Sequence, residues 1–112
     1  MPSTPRLPTS RLPVPPGATD CHMHVYGPPE RYAVAPSNPS PVPFSADLAA
    51  YRALIARLGV SRTVLVQPTA YGLDNACTLD AVAALGADAA PAVVAVTAET
   101  PAAELARRHA AG

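Results

Sequence analysis

Thr63-Val64-Leu65-Val66-Gln67, followed by Pro68, is the stretch that decides the fold class of this chain. Its continuous apolar and β-branched character is typical of a strand buried on both faces of a parallel sheet, and the proline stops the run at once. An amphipathic pattern precedes it, because apolar residues recur at helical spacing over 48–58 and Gly59 follows as a helix stop. A helix leading into a doubly buried strand favours βα units over antiparallel hairpins.

The predicted helix that ends at Gly59 has start signals in the sequence as well. Ser45 is the predicted N-cap, and Asp47 then falls in the first turn, where a carboxylate complements the helix dipole. The next helix is predicted over 76–85, with Asp74 or Asn75 as N-cap and Gly86 as its stop. Both helices therefore have predicted ends.

The same alternation reaches the end of the chain. Residues 92–97 form another continuous apolar run, and Thr100-Pro101 is predicted as an N-cap followed by the first residue of a last helix. With a first strand over 20–24, this makes three successive βα units. Because a complete barrel needs about 250 residues, we predict an α/β fold: an incomplete TIM (β/α)8 barrel containing the first three βα units and a parallel sheet.

Proline separates this region from the start of the chain. Residues 1–17 hold six of the fifteen prolines and little apolar bulk, so they are predicted to be a flexible Pro-rich arm, and residues 18–112 the barrel part.

Net charge is zero and lysine is absent, which argues against a nucleic-acid surface. No apolar run has the length of a membrane span, so a cytoplasmic protein is expected. Cys21 and Cys77 form no metal-binding or disulfide pattern and are interpreted as reduced packing residues.

The segment Asp20-Cys21-His22-Met23-His24 carries the candidate chemistry. Side chains alternate along a strand, so Asp20, His22 and His24 should share one face, and Cys21 and Met23 the other. Two imidazoles on one face supply half of a metal site, although the same pattern also occurs in solvated or core histidines. The remaining histidine, His109, falls in the last turn of the third predicted helix and is expected at the surface.

Two loops follow the predicted strands at the rim where the histidines should stand. The loop over 25–44 is long and rich in proline, and Tyr26, with Arg31 and Tyr32, either lines a pocket for an anionic substrate or anchors the loop. The loop after Gln67 offers further hydrogen-bonding groups. Candidate substrate-binding residues on the two loops are Tyr26, Gln67, Thr69 and Tyr71.

Two long motifs resemble the amidohydrolase superfamily, in its branch of lactonases similar to 2-pyrone-4,6-dicarboxylate lactonase. The first is Asp20-Cys21-His22-Met23-His24-Val25-Tyr26-Gly27-Pro28. The second combines Gly59-Val60, Val64-Leu65-Val66-Gln67-Pro68 and Tyr71-Gly72-Leu73-Asp74-Asn75. The resemblance runs from about residue 18 to the end of the chain and marks it as the N-terminal part of such a protein.

The resemblance implies a hydrolase acting on a lactone or related ester of a small carboxylated substrate, either a dicarboxylate or a sugar acid. His22 and His24 would be catalytic, binding a divalent metal such as Zn or Mn or, without a metal, polarising the substrate carbonyl. A further histidine and the eighth-strand aspartate of the family, its usual general base, have no counterpart up to residue 112. Residues 1–112 alone are therefore expected to be inactive.

Two alternatives remain open from the sequence. A decarboxylase of the same superfamily would carry the same first-strand histidines and would differ in later strands and in its substrate pocket. The other alternative is a truncated fragment with no function of its own.

Overall fold

Three parallel strands alternate with three helices in the structure, a computed structural model that describes residues 12–112. The strands are β1 (Thr19–Met23), β2 (Arg62–Val66) and β3 (Ala92–Val93), and the helices are α1 (Leu48–Leu58), α2 (Ala76–Leu85) and α3 (Ala102–Ala111). A short 3-10 turn, Thr69–Tyr71, follows β2. Most of the predicted N-terminal arm lies outside the described residues.

The sheet has the order β1-β2-β3, and both pairings are parallel. Parallel neighbours in sequence order, each joined by a crossover that contains a helix, are the βα arrangement that the sequence predicts. The predicted α2 is confirmed at both ends, and Gly59 ends α1 in the left-handed conformation, with φ 76°. No helix within residues 12–112 is both long enough and apolar enough to cross a bilayer.

The core lies between the sheet and the helices. Its fully buried side chains include Leu65 of β2 and Val82 of α2, and Met23 of β1 and Tyr51 of α1 pack against them. Burial of these apolar side chains stabilises the packing of the helices on the sheet. Each large side chain removed from water contributes about 1.5–3 kcal/mol to the free energy of folding. The carboxyl ends of the strands are left at one common edge, where the loops begin.

The predicted ends of two helices were wrong by one or two residues. Asp47, not Ser45, is the N-cap of α1, because its carboxylate accepts a hydrogen bond from the Ala50 N–H at 2.9 Å. Pro101 occupies the N-cap position of α3, so it is not the first helical residue. The Thr100 hydroxyl accepts a hydrogen bond from the Thr97 N–H instead, within the turn that precedes the helix.

The third strand is much shorter than predicted, with two paired residues where the apolar run suggested six. After the pair of Val93 and Val66, the N–H and the carbonyl of Ala95 form hydrogen bonds with the side-chain amide of Asn75. An amide side chain therefore replaces the next step of the ladder. Apolar composition alone does not show this, because the replacement comes from a residue 20 positions away in the sequence.

One prediction about β1 was wrong because the strand is irregular. Asp20 pairs with Thr63 and Met23 with Leu65, so three steps along β1 match two along β2. The extra residue turns Asp20 to the same side as Met23, where its carboxylate accepts a hydrogen bond from the Tyr51 hydroxyl at 2.9 Å. Asp20 therefore does not share a face with the histidines. Cys21, predicted to be a packing residue, is exposed, whereas Cys77 is buried as expected.

Candidate active site

His22 and His24 stand together at the carboxyl end of β1. Their ring centroids are 5.1 Å apart and the ring planes are nearly perpendicular, at 87°. Both residues are exposed, while Met23 between them is buried. The structure thus brings the two predicted imidazoles to one side, at the edge of the sheet where the loops begin.

The backbone of β2 fixes the His24 ring. Its Nδ1 lies 2.8 Å from the carbonyl oxygen of Val66. Because a carbonyl oxygen only accepts hydrogen bonds, Nδ1 carries the hydrogen and the neutral ring keeps its lone pair on Nε2. His22 is held through its backbone, since its N–H donates to the Asp20 carboxylate at 3.1 Å. His24 is therefore ready to bind a metal or a proton through Nε2.

The histidine pair fits two positions in the coordination sphere of a divalent metal. A ring whose Nδ1 donates to a carbonyl presents Nε2 as the ligand atom, which is the usual arrangement in zinc sites. Within the described part of the chain, no third histidine, cysteine, aspartate or glutamate joins them in a ligand group. Any further ligands of such a metal would have to come from outside residues 12–112.

Gln67 has an internal role that the sequence did not suggest. Its Nε2 donates to the carbonyls of Gly72 and Asp74 at 3.1 and 2.8 Å, and its Oε1 accepts from the Thr78 hydroxyl at 2.6 Å. Both polar atoms of the amide are therefore engaged within the chain. Gln67 ties the loop that follows β2 to the first turns of α2.

Tyr71 is likewise held inside the molecule. It is 3% exposed, and its hydroxyl accepts a hydrogen bond from the Gly27 N–H at 3.1 Å. Burial raises the pKa of Tyr71, and the hydrogen bond from Gly27 acts in the opposite direction. Its ring packs 6.0 Å from that of Tyr26, which is half-buried. Of the four candidate substrate-binding residues, Thr69 alone is exposed.

The role of Asn75 was not apparent from the sequence. It lies at the N-cap position of α2 and makes no capping bond, whereas the Asp74 carboxylate accepts from the Ala76 N–H at 3.1 Å. The Asn75 amide instead pairs with both backbone groups of Ala95, at 2.8 and 2.9 Å, and Asn75 is 2% exposed. It joins the loop after β2 to the chain leaving β3. Its buried position in space, not its place in the sequence, identifies it.

A concave region lies away from the histidines, between α1, α2 and the loop after β1. This cavity of about 420 Å³ is lined by Tyr26, Arg31, Tyr32, Cys77 and Asp80 among others, and neither His22 nor His24 borders it. The Tyr32 hydroxyl donates to Asp80 at 2.5 Å, and Arg31 lies 3.5 Å from the same carboxylate. Burial and then this carboxylate raise the pKa of Tyr32 to about 12. Arg31 and Tyr32 thus anchor the loop to α2, and the same two side chains line the cavity.

Known proteins resemble this chain over most of its length. The amidohydrolase family profile matches residues 19–112. A 4-sulfomuconolactone hydrolase of Rhizobium radiobacter is 45% identical over 69 residues, which cover 62% of this chain and 23% of that protein. A 2-pyrone-4,6-dicarboxylate hydrolase of Comamonas testosteroni is 37% identical over 110 residues, covering 98% of this chain and 35% of that protein.

A crystal structure of an Agrobacterium tumefaciens protein in its apo form shows the same fold. It superposes with a TM-score of 0.78 at 38% identity, over 88% of this chain and 35% of that one. The chain therefore spans about a third of these longer proteins or less, and its three βα units are the incomplete (β/α)8 barrel that the sequence predicted. Because the family profile matches residues 19–112, this chain belongs to the amidohydrolase family.

Proposed function

We propose that the complete protein hydrolyses a lactone, or a related ester, of a small dicarboxylate or sugar-acid substrate. The observation that carries this proposal is the pair of His22 and His24, with their rings 5.1 Å apart at the carboxyl end of β1. Membership of the amidohydrolase family supports it, as do the two relatives named as lactone and pyrone-dicarboxylate hydrolases. A cytoplasmic location stays a prediction.

The two imidazoles are suited to drawing electron density from a carbonyl oxygen. Hydrolysis of a lactone needs attack of water on the ring carbonyl, followed by loss of the ring oxygen as an alcohol and formation of a carboxylate. We assign His22 and His24 to the carbonyl oxygen, where negative charge develops during attack. His24 would donate to that oxygen with hydrogen on Nε2 as well as on Nδ1, because the neutral ring held by the Val66 carbonyl presents only a lone pair at Nε2. The group that accepts the proton from water is assigned to the rest of the protein, so residues 1–112 alone should be inactive.

A divalent metal, Zn or Mn, is compatible with the same two side chains and would supply Lewis-acid activation of the carbonyl or of water. His24 would bind it through Nε2, since the carbonyl of Val66 accepts the Nδ1 hydrogen. Thr69 and Tyr26 are proposed to contact the substrate directly. Gln67 and Tyr71, whose polar atoms are engaged within the chain, would shape the loop that carries Thr69.

The test compares three histidine variants of the full-length protein. His22→Ala and His24→Ala should each lower the turnover of a dicarboxylated lactone by about 10²–10⁴-fold, because each removes a group that acts on the reacting carbonyl. His109→Ala is the matched control, since His109 is exposed on α3, and it should leave turnover nearly unchanged. Circular dichroism verifies that all three variants are folded, and metal analysis of each shows whether the pair binds an ion.

Near-normal turnover in both folded His22→Ala and His24→Ala proteins would refute the assignment, with or without a metal. The reaction product distinguishes the decarboxylase alternative from the proposed hydrolase. Release of carbon dioxide from the same substrates, without ring opening, would favour it over a hydrolase. The truncated-fragment alternative would be favoured if the coding sequence ended after Gly112.

A further inference from the structure

The turn that follows His24 packs against two tyrosines from different parts of the chain. Val25 and Gly27 of this turn are buried. A Cβ atom added to Gly27 would overlap the Tyr32 ring, so the glycine backbone lies directly against that ring. The Gly27 N–H donates to the Tyr71 hydroxyl at 3.1 Å, and the Tyr71 ring lies next to that of Tyr32, with their centroids 6.2 Å apart. The turn has little space in which to shift.

Two long-range hydrogen bonds join this turn to the region just after β2. One runs from His24 Nδ1 to the Val66 carbonyl, at 2.8 Å, and the other from the Gly27 N–H to the Tyr71 hydroxyl. On the first segment the bonded residues, His24 and Gly27, are three positions apart in the sequence. On the second segment the partners, Val66 and Tyr71, are five positions apart. A rigid segment held at both ends keeps the side chain at its start in one orientation. The orientation of the His24 ring should therefore depend on the bond at Gly27.

We propose that Tyr71 is a positioning residue for His24, acting through the Gly27 N–H and not through contact with substrate. This inference rests on the proposed function only in taking His24 as a group that acts on the substrate. Removing the hydroxyl leaves a backbone N–H without its partner in a buried turn, and such a donor moves to find water or another acceptor. Displacement of the turn separates the His24 ring from the Val66 carbonyl. The ring then loses its fixed tautomer.

The experiment measures the tautomer of His24 by nitrogen-15 NMR in the full-length protein, labelled at histidine. In the unaltered protein, nearly all of the neutral ring should carry hydrogen on Nδ1. In Tyr71→Phe, the Nδ1–H form should fall to a minority, because the preference set by the Val66 carbonyl is lost and an unconstrained neutral ring favours hydrogen on Nε2. Tyr32→Phe is the matched control: it keeps the ring that covers Gly27 and removes only a hydroxyl bonded to Asp80. Its His24 tautomer should be unchanged.

Kinetics provide a second measurement. Tyr71→Phe should lower kcat by about 10- to 100-fold with KM nearly unchanged, as for a displaced reacting group. A raised KM with an intact His24 tautomer would overturn the proposal and favour direct substrate contact by Tyr71. An unchanged tautomer in folded Tyr71→Phe, or an equal change in Tyr32→Phe, would also overturn it.

A third measurement does not depend on a folded variant. In the unaltered protein, the Gly27 amide hydrogen should exchange with solvent at least about 100-fold more slowly than an open-chain amide, and rapid exchange would contradict the proposal. The NMR results stand apart from the proposed function. If His24→Ala kept full turnover, the function would fail, while the tautomer of His24 would still show whether Tyr71 positions its ring.

Discussion

Neighbouring residues of β1 lie in very different surroundings. Met23 is 8% exposed and belongs to the core, whereas Cys21, two positions earlier, is exposed, and the histidines lie on the open side. Regular alternation would have placed Cys21 with Met23. The extra residue between Asp20 and Met23 breaks that alternation, so the environment of each side chain depends on the pairing with β2.

This difference predicts unequal stability losses in the full-length protein. Met23→Ala should lower the free energy of unfolding by about 2 kcal/mol or more, because it leaves a cavity against Leu65 and its neighbours. Cys21→Ala should cost clearly less, since within residues 12–112 the Cys21 side chain is exposed and lies outside the core cluster that contains Met23. Urea denaturation followed by circular dichroism measures both. Equal losses in the two variants would contradict the irregular register of β1.

At the scale of the elements, the start of α1 depends on a single carboxylate. Asp47 adopts the extended backbone of an N-cap and accepts the Ala50 N–H, while Ser45 lies two residues earlier with an exposed side chain. Serine and aspartate are both good caps, so composition could not choose between them. The choice follows from where the loop after β1 delivers the chain, through the bond between the Tyr26 N–H and the Ala46 carbonyl.

A pair of alanine substitutions distinguishes the two candidate caps. Asp47→Ala should cost about 1 kcal/mol of stability, because the Ala50 N–H loses its acceptor and the favourable charge near the helix dipole is removed. Ser45→Ala should be close to neutral. Thermal unfolding of the full-length protein is the measurement. A larger loss in Ser45→Ala than in Asp47→Ala would show that the helix begins earlier than in this structure.

At the scale of the whole molecule, three βα units leave apolar surface in contact with water. Val93 and Val96, in and after β3, are exposed, and so is Leu105 of α3, which has no buried residue. Leu54 and Leu58, part of the apolar pattern of α1, are also exposed. In a closed barrel, neighbouring strands and helices cover such surfaces. The outer strands here also leave backbone groups available for pairing.

We therefore predict that residues 1–112, produced alone, will aggregate or fold only loosely. The exposed valines next to an open sheet edge favour association with other chains. Size-exclusion chromatography with light scattering, combined with thermal unfolding, measures this, and the full-length protein is the control. A monomer of residues 1–112 with a sharp cooperative melt would contradict the prediction.

Local sequence determined the type and order of the elements. The apolar run before Pro68, the periodic pattern of 48–58 and the glycines at 59 and 86 act over a few residues, so they can be interpreted without a structure. The same holds for the histidine pair, because two residues separated by one position remain neighbours on one side of an extended chain. The order of strands then followed from the repeated βα unit.

Tertiary structure alone decided the pairing of distant groups. The Asp20 carboxylate accepts a hydrogen bond from the Tyr51 hydroxyl, the Asn75 amide bonds the backbone of Ala95, and the Tyr71 hydroxyl accepts from the Gly27 N–H. The last two pairs are separated by 20 and 44 residues in the sequence. Each of these polar groups is satisfied by a partner that folding brings close, and a buried group without a partner would cost about 1–3 kcal/mol. Short-range sequence patterns do not indicate which distant residues become partners. The sequence by itself therefore determined the fold class and the histidine pair, and the tertiary structure decided which neighbouring residues hold that pair in place.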